Sequence, residues 1–362
     1  MGRFLLNLRE KAVKGKAKFD GSFGVIYYFR PQMNRLKTPP LIRLTSGKVP
    51  ALLVAIIIYL LFLGIITLIF YLEEIQMTWK NFESIAYFGL AFSYVVYVTH
   101  LVNKVHQRGV GEMLPYTELT EEERETWRIR IARHPSQWRE TLAAILVSFL
   151  HAYLQGRWRI FTGESRFLLL DIWGVIQTTL IWVGITQSSS IFIRNMTEMN
   201  KLSAKIKIDL LNMDQLMPLT RSGVWSILGF IGVYSIIFSG NISQITLADP
   251  AIAVIAPSVF WMMYTPLKGI RKRVLKAKEK EMALIDKAIE GDRSALKESR
   301  IRANLDNINV IDLINYKKII QNTFEIPVNI PTASRFVFYL IIPLLTWIAA
   351  SIVDKSIDFL IK

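Results

Sequence analysis

The sequence predicts an all-α, polytopic transmembrane helical bundle with further helices on its cytoplasmic side. Of its 362 residues, 52% are hydrophobic, and the mean hydropathy is +0.31. These apolar residues are concentrated in long uncharged runs, which are typical of membrane spans. The chain has no cysteine and a net charge of +15. A disulfide-stabilised secreted domain and a cysteine-ligated metal site are therefore not expected.

The apolar runs predict seven spans, with five as the alternative. The first run has no charged residue over 24 positions and is long enough to cross a hydrocarbon core of about 30 Å. The third run is short, and in the five-span alternative the third and fourth runs lie at the interface or re-enter the membrane. The predicted spans are residues 49–72, 85–102, 142–154, 167–193, 224–239, 251–266 and 336–353.

The distribution of Lys and Arg predicts the orientation of these spans. Residues 1–48 contain eleven Lys or Arg and two acids, whereas the loop 240–250 contains one acid, Asp249, and no base. Because basic segments are retained in the cytoplasm, the N-terminus should be cytoplasmic. An odd number of spans then places the C-terminus outside. The bases in the loop between the third and fourth spans argue against the seven-span interpretation.

The segments outside the spans are predicted to be helical and charged. Thr120 and Glu123 have the spacing of a capping box that begins a helix, and Pro135 should end that helix. Gly291 and Asp292 should separate two helices, the second covering about residues 293–322. The predicted segments are a basic cytoplasmic arm (1–48), two spans (49–102), a charged helical region (103–141), two spans (142–193), an interfacial amphipathic linker helix (194–222), a span hairpin (223–266), a basic cytoplasmic helical hairpin (267–335) and the last span with an outer tail (336–362).

Two of these segments have an amphipathic pattern. In the arm, Phe4, Leu5 and Leu8 lie beside a basic face, which predicts binding to anionic headgroups or, alternatively, an ordinary basic flank. In the linker, apolar residues from Leu202 to Met217 recur at helical spacing. That pattern predicts a helix at the inner interface or, alternatively, a helix packed on the cytoplasmic side of the bundle.

The C-terminal third of the chain resembles a known group of proteins. A span hairpin is followed by RKRVLKAKEKEMALID and then by FEIPVNIPTASRFVFYLIIPLLTWIAASIVDKSIDFL. This order is similar to that of a group of uncharacterised bacterial polytopic inner-membrane proteins. The resemblance implies a bacterial inner (plasma) membrane, and it implies no activity, cofactor or site residue.

The fourth span is unusually polar. Polar side chains inside a span can line a hydrated path or hydrogen-bond neighbouring helices, and both interpretations stay open. Prolines inside the sixth and seventh spans are candidates for helix kinks. The candidates for the polar path are Asp171, Gln177, Thr178, Thr179 and Gln187, and those for kinks are Pro257 and Pro343.

The sequence contains no pattern that predicts an enzyme, a cofactor or a metal site. None of the four histidines belongs to an HExxH motif, and neither GxGxxG nor a P-loop occurs. The favoured function is a homo-oligomeric channel or permeation protein for an ion or small solute. The alternative is a membrane scaffold or sensor subunit that binds a protein partner through its cytoplasmic helices. The expected partners are lipids, anionic headgroups and further copies of the chain, without nucleic acid.

Overall fold

Helices form over most of the described segments that have apolar or amphipathic helical periodicity. The computed structural model describes residues 39–76, 78–132, 137–154, 159–163, 165–239, 250–299, 301 and 308–323. Within these ranges all regular elements are helical, so the all-α prediction is confirmed for them. The α-helices are α1 (Pro40–Thr45), α2 (Ala51–Leu72), α3 (Trp79–Met113), α4 (Glu121–Ala132), α5 (Trp138–Leu154), α6 (Arg159–Thr162), α7 (Leu168–Ser203), α8 (Met217–Ser239), α9 (Pro250–Ile289) and α10 (Val310–Asn322). Short 3₁₀-helices occupy Leu114–Tyr116, Met213–Leu216 and Arg293–Glu298.

Three described helical segments are long and apolar enough to cross a membrane, which is consistent with a membrane protein. They are Ala51–Leu72, Leu168–Ser203 and Met213–Val233. They contain most of the predicted spans 49–72, 167–193 and 224–239. The predicted spans 85–102, 142–154 and 251–266 lie inside α3, α5 and α9, respectively. The predicted span 336–353 and Pro343 lie outside the described residues, as does most of the basic arm.

Helix α3 is the centre of the bundle, because it packs against α2, α7 and α8. Its buried side chains recur at helical spacing and include Val95, Val102 and His106. Glycines allow two of these contacts. A Cβ atom built on Gly89 would lie 3.0 Å from Cβ of Phe62, and one built on Gly232 would lie 2.0 Å from the hydroxyl oxygen of Tyr94.

A second buried core lies at one end of the bundle, where α3, α7 and α8 meet α4, α9 and α10. We call this cluster the basal core. Several members are fully buried, and the cluster continues from the bundle helices into α9 and α10 without a break. Its members include Val110, Met113, Ile131, Met199, Leu202, Ile206, Leu219, Ile270, Val274, Ile285, Leu313 and Ile320.

The predicted linker helix (194–222) is wrong over its middle part, from residue 204 to residue 212. Helix α7 continues to Ser203, and the chain is then irregular until the 3₁₀-helix at Met213. The backbone near Ile206 instead forms an isolated bridge to Thr117, and N–H of Lys207 donates to the carbonyl of Tyr116 at 3.2 Å. The apolar stripe is nevertheless buried, since Ile206 and Leu210 belong to the basal core. The stripe therefore predicted burial correctly and helical structure incorrectly.

The described part of the predicted basic hairpin (267–335) consists of the second half of α9, a short 3₁₀-helix and α10, and α9 packs against α10. Helix α9 runs without a break through Pro257 and Pro266, so the predicted span 251–266 and the basic segment form one helix of 40 residues. Of the predicted second helix over 293–322, the structure describes a 3₁₀-helix at Arg293–Glu298 and α10, and residues 300 and 302–307 lie outside the described residues.

Two local predictions at helix ends are confirmed. N–H of Thr120 donates to Oε2 of Glu123 at 2.8 Å, and N–H of Glu123 donates to Oγ1 of Thr120 at 3.3 Å, which completes the capping box of α4. The carboxylate of Glu123 also accepts from the hydroxyl of Thr120, and its two hydrogen bonds from Thr120 lower the pKa of Glu123. After α9, Gly291 has φ +114°, and Oδ1 of Asp292 accepts from N–H of Ser294 at 3.1 Å.

Candidate functional site: a polar seam around helix α7

Four of the five polar-path candidates lie in or beside the helix interfaces of α7. Gln177 and Thr178 are each 5% exposed, and Gln187 is 1% exposed. Thr178 and Thr179 donate their hydroxyls to the carbonyls of Gly174 and Val175, each at 2.8 Å, which is a normal intrahelical arrangement. Asp171 lies in the first turn of α7 and accepts from Oγ of Ser165 at 2.7 Å.

On one side, α7 is joined to α5 by side-chain hydrogen bonds. Oγ of Ser148 and Oγ1 of Thr179 are 2.9 Å apart, and Nε2 of Gln187 donates to Oγ1 of Thr141 at 2.9 Å. Gln137, which precedes α5, donates its side-chain N–H to the backbone carbonyl of Gln187 at 3.4 Å. The predicted candidates Thr179 and Gln187 thus connect two helices.

On another side, α7 is joined to α3 in the same way. Oγ1 of Thr99 and Oγ of Ser188 are 2.6 Å apart, and Nδ2 of Asn195 donates to Oδ1 of Asn103 at 2.9 Å. All four residues are at most 7% exposed. We call the two sets together the polar seam: Thr99, Asn103, Thr141, Ser148, Thr179, Gln187, Ser188 and Asn195.

Sequence reasoning missed the α3 half of the polar seam, although a signal for it existed. Thr99, Asn103 and His106 are spaced at i, i+4 and i+7, which is one helical stripe inside an otherwise apolar run. Their partners Ser188 and Asn195 are seven residues apart on α7, so they also lie on one helix face. A polar stripe on each of two neighbouring helices predicts paired side chains, although the paired residues are four apart on α3 and seven apart on α7.

Two buried N–H groups of α7 have no hydrogen-bond partner among the described residues. They are Nε1 of Trp173 and Nε2 of Gln177, and both atoms are buried. The residues are one turn apart, and the ring of Trp173 packs 5.3 Å from that of Phe62 on α2. A buried donor without an acceptor is costly, by about 1–3 kcal/mol in proteins, so this pair of N–H groups is the part of α7 best suited to water or another acceptor.

Both ends of α7 are bound by charged side chains from other helices. The carboxylate of Glu73, directly after α2, accepts from the N–H groups of Leu169 and Leu170, the latter at 3.2 Å. At the other end, the guanidinium of Arg273 on α9 donates to the carbonyl of Ser203 and, at 2.8 Å, to that of Ile206. An acid at a helix N-terminus and a base at its C-terminus both complement the macrodipole.

Basic side chains bind the C-terminal carbonyls of other helices as well. Arg194 donates to the carbonyl of Arg130 at 2.8 Å near the end of α4, and Lys278 donates to the carbonyl of Thr323 at 3.2 Å after α10. Partial burial lowers the pKa of Arg273, which remains a cation at neutral pH. Part of the chain's excess of basic residues thus stabilises helix ends within the chain.

No family model, curated protein or solved structure matches this chain. Within the described ranges, no group of three or more His, Asp or Glu side chains is arranged to hold a metal ion.

Proposed function

We propose that the chain is an integral membrane scaffold or sensor subunit. Its cytoplasmic helical unit, formed by α10 and the half of α9 beyond Pro266, would bind a protein partner. The observation that carries this proposal is the basal core. It joins α3, α7 and α8 to α9 and α10 through one continuous set of buried side chains, and Arg273 binds the end of α7 directly. Displacing the bundle helices would therefore displace the helical unit, which is the coupling that a sensor or scaffold needs.

The packing of α3 and α5 supports their assignment as further spans. Helix α3 packs against α2, α7 and α8, and each of these contains a segment apolar enough to span. Helix α5 packs against α7 and has an exposed apolar face suited to lipid. Trp138 and Tyr153, 60% and 61% exposed, lie near its two ends, where amphipathic aromatics anchor helices at membrane interfaces. The exposed face comprises Leu142, Leu146, Val147, Phe149 and Leu150.

The proposed location is a bacterial inner membrane, with the N-terminus and the basal core in the cytoplasm. The charges of α9 support this orientation, because its half beyond Pro266 is rich in Lys and Arg. The native chain has no cysteine, so Gly2→Cys and Lys362→Cys can be labelled without background. An impermeant thiol reagent added to intact cells should modify Lys362→Cys alone. Modification of Gly2→Cys instead would reverse the proposed orientation.

The polar seam favours the scaffold over a permeation path within one subunit. Its side chains face helix neighbours and hydrogen-bond them, so they act as interhelical contacts, worth about 0.6 kcal/mol each on average in membranes.

Helix α10 offers a surface for the proposed partner. Ile311, Ile314 and Ile319 are 71%, 51% and 55% exposed, on the side opposite the buried Leu313 and Ile320. Lys318 lies on the same exposed side, so the face suits an apolar helix that carries acidic residues.

The scaffold proposal can be tested by photocrosslinking in cells. We expect a photoreactive residue at Ile311 to form one discrete protein adduct, because the partner would cover this face. A photoreactive residue at Lys280 on α9 serves as the exposed control and should form none. The adduct at Ile311 should disappear in an Ile314→Glu variant that folds normally. Absence of any discrete adduct from the α10 face would contradict the proposal.

A homo-oligomeric channel is the second candidate, and the unpartnered N–H groups of Trp173 and Gln177 favour it. Two buried donors one turn apart would be satisfied by water or by a passing solute. Purified protein in vesicles should then conduct an ion or small solute. Absence of flux for common ions would count against this candidate and would leave the scaffold proposal unaffected.

A further inference from the structure

A buried cluster of nitrogen, sulfur and hydroxyl groups lies where α3, α7 and α8 meet. His106 is fully buried, and its Nε2 lies 3.2 Å from Sδ of Met196 and 3.3 Å from Oγ of Ser226. A Cβ atom built on Gly109, one turn along α3, would lie 3.0 Å from both Cε of Met199 and Oγ of Ser222. One thioether and one hydroxyl therefore contact the imidazole, and a second thioether and a second hydroxyl lie beside Gly109, one turn further along α3.

Several polar atoms at this junction have no partner among the described residues. Oγ of Ser222 and Oδ1 of Asn195 are both buried and accept or donate no hydrogen bond there. Asn195 directly precedes Met196, so its unpartnered Oδ1 lies on the same turn of α7. Buried polar groups are almost always satisfied, and a cluster of exceptions suggests a bound water or ion.

The softness and the charge of the donor atoms indicate which ion the site would bind. Neutral imidazole and thioether sulfur are soft ligands, and they favour copper(I) over magnesium, calcium or manganese. No carboxylate or thiolate is among the donors, so a monovalent ion would bring less uncompensated charge into the junction than a divalent one. Binding of the ion to Nε2 requires the tautomer that carries its proton on Nδ1.

We propose that His106 and Met196, with Met199 as third ligand, form a binding site for a soft monovalent cation, copper(I). This proposal does not depend on the proposed function. With the bond lengths of protein zinc sites as a guide, about 2.0 Å to nitrogen and about 2.3 Å to sulfur, the two donors would be about 3.7 Å apart in a trigonal site. The present separation of 3.2 Å therefore has to widen by a few tenths of an ångström. Methionine, with three rotatable bonds, allows that adjustment.

The test is a competition for copper(I) between the full chain in detergent and the chromophoric chelator bicinchoninate, under anaerobic reducing conditions. We expect the protein to withdraw one equivalent of copper(I). Because the chain has no cysteine, thiolates contribute nothing to the signal. Met196→Leu preserves side-chain volume, so it should fold, and it should weaken binding by about tenfold or more.

Met113→Leu is the matched control. Met113 is as fully buried as Met199 and belongs to the basal core, and its substitution changes the same chemical group. It should leave copper(I) affinity unchanged. X-ray absorption of the loaded wild-type protein should show nitrogen and sulfur neighbours at about 2.0 and 2.3 Å. The proposal is overturned if the wild type withdraws no copper(I), if the two Leu variants weaken binding equally, or if the absorption spectrum shows oxygen neighbours alone.

Discussion

Asn195 on α7 donates from Nδ2 to Oδ1 of Asn103 on α3 at 2.9 Å, and neither side chain is more than 7% exposed. The pair joins the central helix of the bundle to its longest apolar helix. We expect a double-mutant cycle of Asn103→Ala and Asn195→Ala to give a coupling energy of about 0.6 kcal/mol, the average for interhelical hydrogen bonds in membranes. The measurement is the free energy of unfolding in mixed micelles. Thr197→Val, on the exposed side of α7, is the control and should show no coupling to Asn103→Ala.

The contact between Gly232 and Tyr94 makes a second prediction about packing. A methyl group at position 232 would lie 2.0 Å from the Tyr94 hydroxyl and 2.5 Å from Cζ, so the whole ring edge would have to move. Gly232→Ala should therefore destabilise the chain by about 1–3 kcal/mol, the range for overpacked cores. Gly111→Ala is the matched helical control, since nothing lies within 4 Å of its Cβ position. It should stabilise the helix by up to about 1 kcal/mol. Equal thermal stability of the two variants would show that α3 and α8 are less closely packed.

Arg273 is expected to bind α9 to the end of α7. In Arg273→Gln, the carbonyls of Ser203 and Ile206 lose a cationic donor, and the irregular segment after α7 should open more often. Hydrogen exchange measured by mass spectrometry should then increase over residues 203–212. Lys272→Gln removes the same charge from a neighbouring exposed residue and should leave this exchange unchanged. A general increase in exchange in both variants would indicate an effect of net charge instead.

The capping box of α4 makes this helix sensitive to acid. Hydrogen bonds from N–H and Oγ1 of Thr120 lower the pKa of Glu123, so the ionised carboxylate is more stable in the folded helix than in the unfolded chain. This stabilisation of folded α4 is complete at pH values above the pKa that Glu123 has in the unfolded chain. It is lost as the pH falls through the lower pKa that Glu123 has in the folded helix. Hydrogen exchange over Glu121–Ala132 should therefore rise, relative to its intrinsic rate, as the pH is lowered towards this range. In Glu123→Gln the amide can still accept from Thr120 without titrating, so the rise should be smaller. An identical pH profile in the two proteins would contradict the assignment.

The sequence predicts the helices better than it predicts their partners. Uncharged runs identify the apolar segment Ala51–Leu72 almost to the residue, because length and composition alone decide that a run can cross a bilayer. The linker after Ser203 shows the limit. Leu202 and Ile206 lie at helical spacing and are buried, but the bridge to Thr117 and the binding by Arg273 replace helical hydrogen bonds with contacts remote in sequence. Similarly, polarity singled out Gln187, whereas its partner Thr141 depends on how α5 packs against α7.

Gln177 distinguishes the two proposed functions. Its side chain is buried, and its Nε2 has no partner among the described residues, so replacing it with Leu removes no hydrogen bond that the structure describes. Gln177→Leu should therefore fold, with thermal stability equal to or above that of the wild type, because an unsatisfied buried donor is lost.

If the channel is the correct function, Leu at this position should favour dewetting of the path and lower the flux in reconstituted vesicles. Thr197→Val is the control on the same helix and should leave any flux unchanged. If the scaffold is the correct function, neither the wild type nor the variants conduct, and Gln177→Leu leaves the crosslinked adduct at Ile311 intact. Flux that is present in the wild type and equal in Gln177→Leu would place any path away from α7.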